Sequence, residues 1–131
     1  MSTIFTKIVN KEIPCHLIKE DDRFLAFLDV MPLVEGHVLV IPKEEVDYIF
    51  DMEDQALANL HLFAKKVAQA VKKTIPCTKV GMAVVGLEVP HAHIHLIPMT
   101  GIGDLNFSNP RVQLSKEEFV KLAEEISSNF Q

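Results

Sequence analysis

The sequence lacks three features that mark common classes of protein. Its formal net charge is −5, so there is no surplus of basic residues to hold nucleic acid through its phosphates. No apolar run approaches the roughly 18 residues that cross a bilayer. The amino-terminal stretch MSTIFTKIVN also lacks the pattern of a signal peptide. We therefore expect a cytoplasmic protein without a nucleic-acid or membrane partner.

Cysteine is scarce, and long linkers are missing. Cys15 and Cys77 lie far apart and form no CxxC pair. Two isolated thiols indicate a reducing compartment more than a disulfide, and they cannot hold zinc alone. The 131 residues show no repeat or low-complexity segment, and this length suits one hydrophobic core. We predict a single domain over residues 1–131.

The hydrophobic pattern predicts five strands and two main helices. The strand-like runs are residues 15–20, 23–30, 37–42, 79–86 and 91–98. Residues 52–74 repeat apolar side chains at spacings of three and four, which is typical of an amphipathic helix. Ser115 and Glu118 form a capping box at the start of a second helix. Short links between neighbouring strands favour an α+β fold with an antiparallel sheet of about five strands.

The stretch VPHAHIHLIP places three of the six histidines at alternate positions. Side chains alternate between the faces of a strand, so His91, His93 and His95 share one face at a spacing of roughly 6.8 Å. Ala92 and Ile94 take the opposite face and suit a core. Because the core does not need the histidines, their strict alternation indicates a functional site.

Two kinds of site fit three alternate histidines. Imidazole is a common transition-metal ligand, and His37 or Glu88 could complete a metal site. Alternatively, a neutral imidazole nitrogen attacks phosphorus while neighbouring imidazoles donate protons to the phosphate and the leaving group. The spacing alone does not choose between a metal site and a nucleophilic site.

The pattern His-x-His-x-His-x-x with apolar x, over residues 91–97, resembles the signature of the histidine triad (HIT) superfamily of nucleotide hydrolases and transferases. Upstream, the IP turn, the AFLD strand and the pattern P…GH.L.IPK are similar to the amino-terminal half of the same family. The resemblance covers residues 4–98. It implies a HIT-like fold, a homodimer and a purine nucleotide as substrate or product.

The resemblance also implies a role for each polar residue of the site. His93 would be the nucleophile, and His95 would orient it or bind phosphate. His91 would hold the phosphate and assist the leaving group, while His37 would support the triad from the neighbouring strand. Asp29 would accept hydrogen bonds from the ribose hydroxyls.

The resemblance places the base and ribose against three apolar side chains: Phe27, Leu28 and Val30. The loop before the triad departs from the family pattern. Gly86 fits, but Leu87 stands where the family has Gln, and Glu88 where it has Ser or Thr. Glu88 would lie beside the leaving group, either as a proton donor or as a solvated loop residue, and we expect the solvated position.

The reaction implied by the resemblance is hydrolysis of a nucleoside phosphoramidate or a related nucleoside-phosphate derivative. A covalent nucleotidyl-histidine would form, and a nucleoside monophosphate would be released without a metal cofactor. Thr6 stands where zinc-binding relatives carry a cysteine, so we expect no structural zinc. The alternative is a nucleotide-binding or metal-binding protein with little turnover, in which the altered loop has removed efficient catalysis.

Overall fold

The computed structural model describes residues 3–130. The helices are α1 (Ile4–Val9), α2 (Asp54–Thr74) and α3 (Lys116–Ser128). The strands are β1 (Leu17–Glu20), β2 (Phe24–Leu28), β3 (Val38–Pro42), β4 (Lys79–Ala83) and β5 (Ile94–Met99). Two short 3₁₀ turns cover Ile49–Asp51 and Ile102–Asp104. Within residues 3–130, no helix combines the length and apolar character that crossing a membrane requires.

The five strands form one antiparallel sheet in the order β1-β2-β3-β5-β4, which confirms the predicted α+β fold. The carboxylate of Asp21 closes the β1–β2 hairpin by accepting the backbone N–H groups of Arg23 and Phe24. Strand β3 lies beside β5, and Leu39 pairs with His95. This pairing brings the histidine that precedes β3 next to the triad.

Strand alternation divides the buried side chains between two faces of the sheet. We call the face covered by α2 and α3 the helix face; the strand residues that pack there include Leu28, Val38, Val40, Ile94 and Leu96. We call the opposite face the histidine face; its apolar strand residues are Leu25, Phe27, Leu39 and Ile41, packed with Phe5 and Ile8 of α1. The predicted alternation therefore holds in the central strands.

The two main helices follow their sequence signals. Helix α2 buries an apolar stripe that includes Leu60, Val67 and Val71, and it carries basic residues in its last turn, as the helix dipole favours. Helix α3 begins with the predicted capping box. The backbone N–H of Glu118 donates to Oγ of Ser115 at 3.1 Å, and the N–H of Ser115 donates to the Glu118 carboxylate at 2.8 Å.

Two predicted strand boundaries are wrong by three residues, and one helix was missed. The triad strand begins at Ile94 rather than at residue 91, because the N–H of Ala92 donates to the carbonyl of Val46 outside the strand ladder. Strand β4 ends at Ala83 rather than at residue 86. Helix α1 has only six residues, too few to show a helical period. Thr3 caps it by accepting the N–H of Thr6 at 3.0 Å.

Candidate active site

Four histidines gather on the histidine face, as the sequence predicts. All four are buried: His37, His91, His93 and His95. The rings of His37 and His95 have centroids 5.2 Å apart, and those of His93 and His95 are 4.9 Å apart. Three imidazoles are therefore in contact in the order 37, 95, 93, although His91 and His93 precede the regular strand.

The hydrogen bond of His93 decides which of its nitrogens is free. Nδ1 of His93 lies 2.7 Å from the backbone carbonyl of His91. A carbonyl oxygen only accepts hydrogen bonds, so Nδ1 carries the proton. In the neutral ring, Nε2 then holds an unshared electron pair. A nucleophilic histidine needs such a nitrogen.

A backbone amide sets the proton positions of two further rings. The N–H of Leu33 donates to Nδ1 of His37 at 3.0 Å, so Nε2 of His37 carries the proton. This Nε2–H donates to Nδ1 of His95 at 2.9 Å. In neutral His95, the remaining proton therefore sits on Nε2. The arrangement gives His95 an N–H that can donate to a ligand.

Burial keeps these two imidazoles uncharged near pH 7. It lowers the pKa of His37 to about 3, and the neighbouring ring of His95 adds to the effect. Burial likewise lowers the pKa of His95 to about 4, with His93 as a further cause. Desolvation disfavours a charged imidazole inside the protein. Both rings therefore act through fixed hydrogen bonds, and not as positive charges.

His91 has a supporting position that differs from the direct phosphate contact implied by the resemblance. Its Nε2–H donates to the carbonyl of Pro42 at 2.8 Å. Its Nδ1 accepts from the Thr3 hydroxyl at 3.0 Å. Burial lowers the pKa of His91 as well. With both ring nitrogens engaged inside the protein, His91 contacts His93 through its backbone carbonyl, which accepts from Nδ1 of that ring.

Asp29 follows β2 and sits at the edge of the histidine cluster. One carboxylate oxygen accepts the N–H of Met31 at 2.8 Å, and the other lies 3.6 Å from Nε2 of His37. Burial raises the pKa of Asp29. Asp29, His37 and His95 offer three ligand atoms within 4.8 Å of one another. Both ring nitrogens of His37 already hold hydrogen bonds, so a metal ion bound by His37 would have to displace one of them.

The amino-terminal end of α1 does not fit a structural zinc ion. Thr6, where the resemblance places a zinc ligand, donates its hydroxyl hydrogen to Glu45 at 2.5 Å. Thr3 and Thr6 both place their hydroxyl oxygens within 3.4 Å of Nδ1 of His91. Structural zinc sites use several thiolate and imidazole ligands, whereas this cluster offers two hydroxyls, a carboxylate and one imidazole. The four side chains form a hydrogen-bonded link between α1 and the triad.

The predicted base and ribose contacts separate in the structure. Phe27 lies on the histidine face, where its ring packs edge-on against Phe5 at 5.7 Å. Val30 is exposed beyond the end of β2. Leu28 is a correction: it is buried in the helix face, because neighbouring strand residues point to opposite sides. It cannot contact a ligand on the histidine face.

The loop before the triad is open to solvent. Gly86 adopts φ +70°, a left-handed conformation that favours glycine. A Cβ there would meet no neighbour within 4 Å, so the backbone angle alone accounts for the glycine. Glu88 is exposed, which supports the solvated position expected from the sequence.

Two aromatic residues and one arginine of the site were missed at the sequence level. Phe5 packs edge-on against His93, with centroids 5.0 Å apart. Phe107 packs edge-on against His95, with centroids 4.8 Å apart. The guanidinium of Arg111 lies 5.9 Å from the centre of the Phe107 ring. All three lie outside the triad motif, and hydrophobic periodicity carries no signal for such long-range contacts.

Comparison with known proteins assigns this site to a family. The family model described as "HIT domain" matches residues 10–101. The chain belongs to the HIT family. A Schizosaccharomyces pombe relative named adenosine 5'-monophosphoramidase is 37% identical over 130 residues, covering 98% of each chain. This HIT protein therefore has a relative of nearly the same extent that is named for a nucleotide reaction.

Solved structures of HIT proteins share the fold. A Hit-like protein from Bartonella henselae, described as involved in cell-cycle regulation, superposes with a TM-score of 0.84. It is 28% identical and covers 98% of this chain and 97% of its own. A zinc-bound histidine triad family protein from Mycobacterium smegmatis also has a TM-score of 0.84, at 25% identity, covering 98% of this chain and 93% of its own. The architecture around the histidines is therefore that of the family.

Proposed function

We propose that this HIT protein hydrolyses nucleoside phosphoramidates, or closely related nucleoside-phosphate derivatives, and releases a nucleoside monophosphate. The observation that carries the proposal is the free Nε2 of His93, whose ring is oriented by the Nδ1–H bond to the His91 carbonyl. The Schizosaccharomyces pombe relative named adenosine 5'-monophosphoramidase supports the choice of substrate class.

The proposed reaction has two displacements at phosphorus. The electron pair on Nε2 of His93 forms a bond to phosphorus as the phosphorus–nitrogen bond of the substrate breaks. The departing amine takes the bonding pair and a proton from solvent. Water then attacks phosphorus and gives up a proton to solvent. The bond to His93 breaks, its electron pair returns to Nε2, and the nucleoside monophosphate leaves. The Nε2–H of His95 donates to a phosphoryl oxygen, where negative charge develops in each transition state.

The substrate contacts that we propose lie around the end of β2. Asp29 is half-buried and has oxygens that can accept hydrogen bonds from ribose hydroxyls. Val30 is exposed beside it and can pack against the nucleoside. Phe27 supports the floor of this region from a buried position. We also propose that Gly86 and Glu88, in the loop before the triad, lie on the leaving-group side of the substrate.

The decisive experiment traps the covalent intermediate. Wild-type protein mixed with an adenosine phosphoramidate and quenched in base should gain the mass of one nucleotidyl group on the peptide that carries His93. His93→Ala should lose the adduct and at least about a thousandfold of turnover. His61→Ala is a matched control, since His61 lies on α2 and bonds the carbonyl of Leu57; it should keep both.

The same samples test the alternative of a metal-binding protein with little turnover. That alternative is favoured by the ligand atoms of Asp29, His37 and His95. We expect exhaustive chelation to leave the rate unchanged. Stoichiometric metal that is lost together with activity would overturn the proposed mechanism, as would substantial turnover by His93→Ala.

We also propose that the protein is a homodimer joined along β4. This strand forms one outer edge of the sheet, and Met82, Val85 and Leu87 on and after it are exposed apolar side chains. Open strand edges are sites for pairing with another chain. Light scattering should give a mass about twice the 14.7 kDa of the chain; a monomer would contradict the proposal.

A further inference from the structure

The histidine cluster provides hydrogen bonds but little positive charge. Burial lowers the pKa of His37, His91 and His95, so these rings are neutral near pH 7. The carboxylate of Asp29 stands beside them, and the whole chain carries a formal net charge of −5. An anionic phosphate entering this region therefore needs a cation from another part of the chain.

Arg111 is tied to both sides of the cluster. On one side, its Nη1 donates to the carbonyl of Met31 at 2.9 Å, and the N–H of Met31 donates to Asp29 at 2.8 Å. On the other side, its guanidinium lies against the ring of Phe107, which packs edge-on against His95. The segment that carries both side chains is held to the β2–β3 connection by the N–H of Val112, which donates to the carbonyl of Pro32 at 2.9 Å.

The guanidinium forms no direct ion pair with the acidic side chains of residues 3–130, although its charge acts on the nearby carboxylate of Asp29. None of the ion pairs formed within residues 3–130 includes Arg111, although the residue is half-buried. A guanidinium has five N–H donors, and the Met31 carbonyl accepts from one of its nitrogens. Its planar fork matches the oxygens of a phosphate. The charge of Arg111 also contributes to the low pKa values of His37 and His95.

We propose that Arg111 is a substrate-binding residue that recognises the phosphate of the nucleotide and supplies the fixed positive charge of this site. Arg111 lies outside residues 10–101, which match the HIT domain, so the segment after the triad supplies this cation. The inference rests on the proposed nucleotide function and deepens it.

The test separates recognition of the phosphate from packing of the segment. Dissociation constants of AMP and of adenosine are measured by calorimetry for the wild type, Arg111→Gln, Arg111→Lys and Arg23→Gln. Arg23→Gln is the matched control, because Arg23 is exposed in the β1–β2 turn, at the opposite end of β2 from Asp29. It removes the same charge from the chain without altering the histidine face.

We expect Arg111→Gln to weaken AMP binding by about tenfold or more and adenosine binding by less than about twofold, as for loss of one charge-assisted contact. Arg111→Lys should lie between the wild type and Arg111→Gln, and Arg23→Gln should bind both ligands as the wild type does. Thermal unfolding checks that each variant is folded.

Four results would overturn the inference. Equal weakening of AMP and adenosine in Arg111→Gln would show that Arg111 orders the segment without recognising phosphate. If Arg23→Gln weakened AMP binding as much as Arg111→Gln does, the effect would be one of general charge. Unchanged AMP binding by Arg111→Gln would remove the role altogether while leaving the proposed function intact. A wild type that binds neither ligand would instead contradict the proposed function, and with it this inference.

Discussion

The two faces of the sheet are built from the same strands but have different chemistry. In β3, Val38 and Val40 point to the helix face, while Leu39 and Ile41 point to the histidine face. The helix face packs apolar side chains under α2 and α3. On the opposite face, short helix α1 and the segment around Phe107 flank four buried imidazoles. One face is built for stability, and the other combines packing with a reactive site.

The histidine face remains compatible with folding because its fully buried polar atoms are paired. Within residues 3–130, every buried side-chain nitrogen and oxygen has a hydrogen-bond partner. Unpaired buried polar groups cost about 1–3 kcal/mol each. The imidazoles meet this requirement in the neutral form, and the same bonds set which nitrogen of each ring carries the proton. Pairing therefore serves both stability and reactivity on this face.

The largest difference between the faces should appear in how a substitution on the helix face affects stability and turnover. Leu60 is fully buried under the helix face, and Leu60→Ala should lower the free energy of unfolding by about 2–5 kcal/mol because it leaves a cavity. Turnover per folded molecule should stay close to that of the wild type. Urea unfolding and a rate corrected for the folded fraction provide the two measurements. Loss of turnover with unchanged stability would contradict the assignment of stability to the helix face.

A smaller difference should appear in the pH dependence of stability. The folded state holds His37 and His95 with pKa values of about 3 and about 4, below the ordinary value of about 6.5. At pH values between the folded and the unfolded pKa, the unfolded chain binds more protons than the folded chain does. Stability therefore falls as pH is lowered below about 6.5. At pH 5, each histidine that stays neutral should cost about 2 kcal/mol relative to pH 7.

His37→Gln isolates this effect from the other titrating groups. Glutamine offers an acceptor and a donor but does not titrate, so the variant should lose less stability between pH 7 and pH 5 than the wild type does. Leu60→Ala serves as the control, because it removes no titratable group and should shift the unfolding free energy by the same amount at both pH values. Parallel pH profiles for the wild type and His37→Gln would contradict the assigned pKa of His37.

Some features could be read from local patterns. The period-two alternation in β3 and the apolar stripe of α2 predicted which side chains are buried, because burial of one face follows directly from strand and helix geometry. The Ser115–Glu118 capping box predicted the start of α3. The alternation of His91, His93 and His95 predicted a shared face. Helix α1 was missed, because its short length leaves no period to detect.

Other features depend on contacts between distant parts of the chain. The sequence determined the strand order along the chain, the apolar faces and the presence of a histidine-rich site. Only the tertiary structure decided that the Leu33 amide sets the protons of His37 and His95, that His91 turns both ring nitrogens inward, and that Arg111 reaches the site. Local periodicity reports which face a side chain occupies. The partner of each polar atom is decided by the folding of segments that are far apart in sequence.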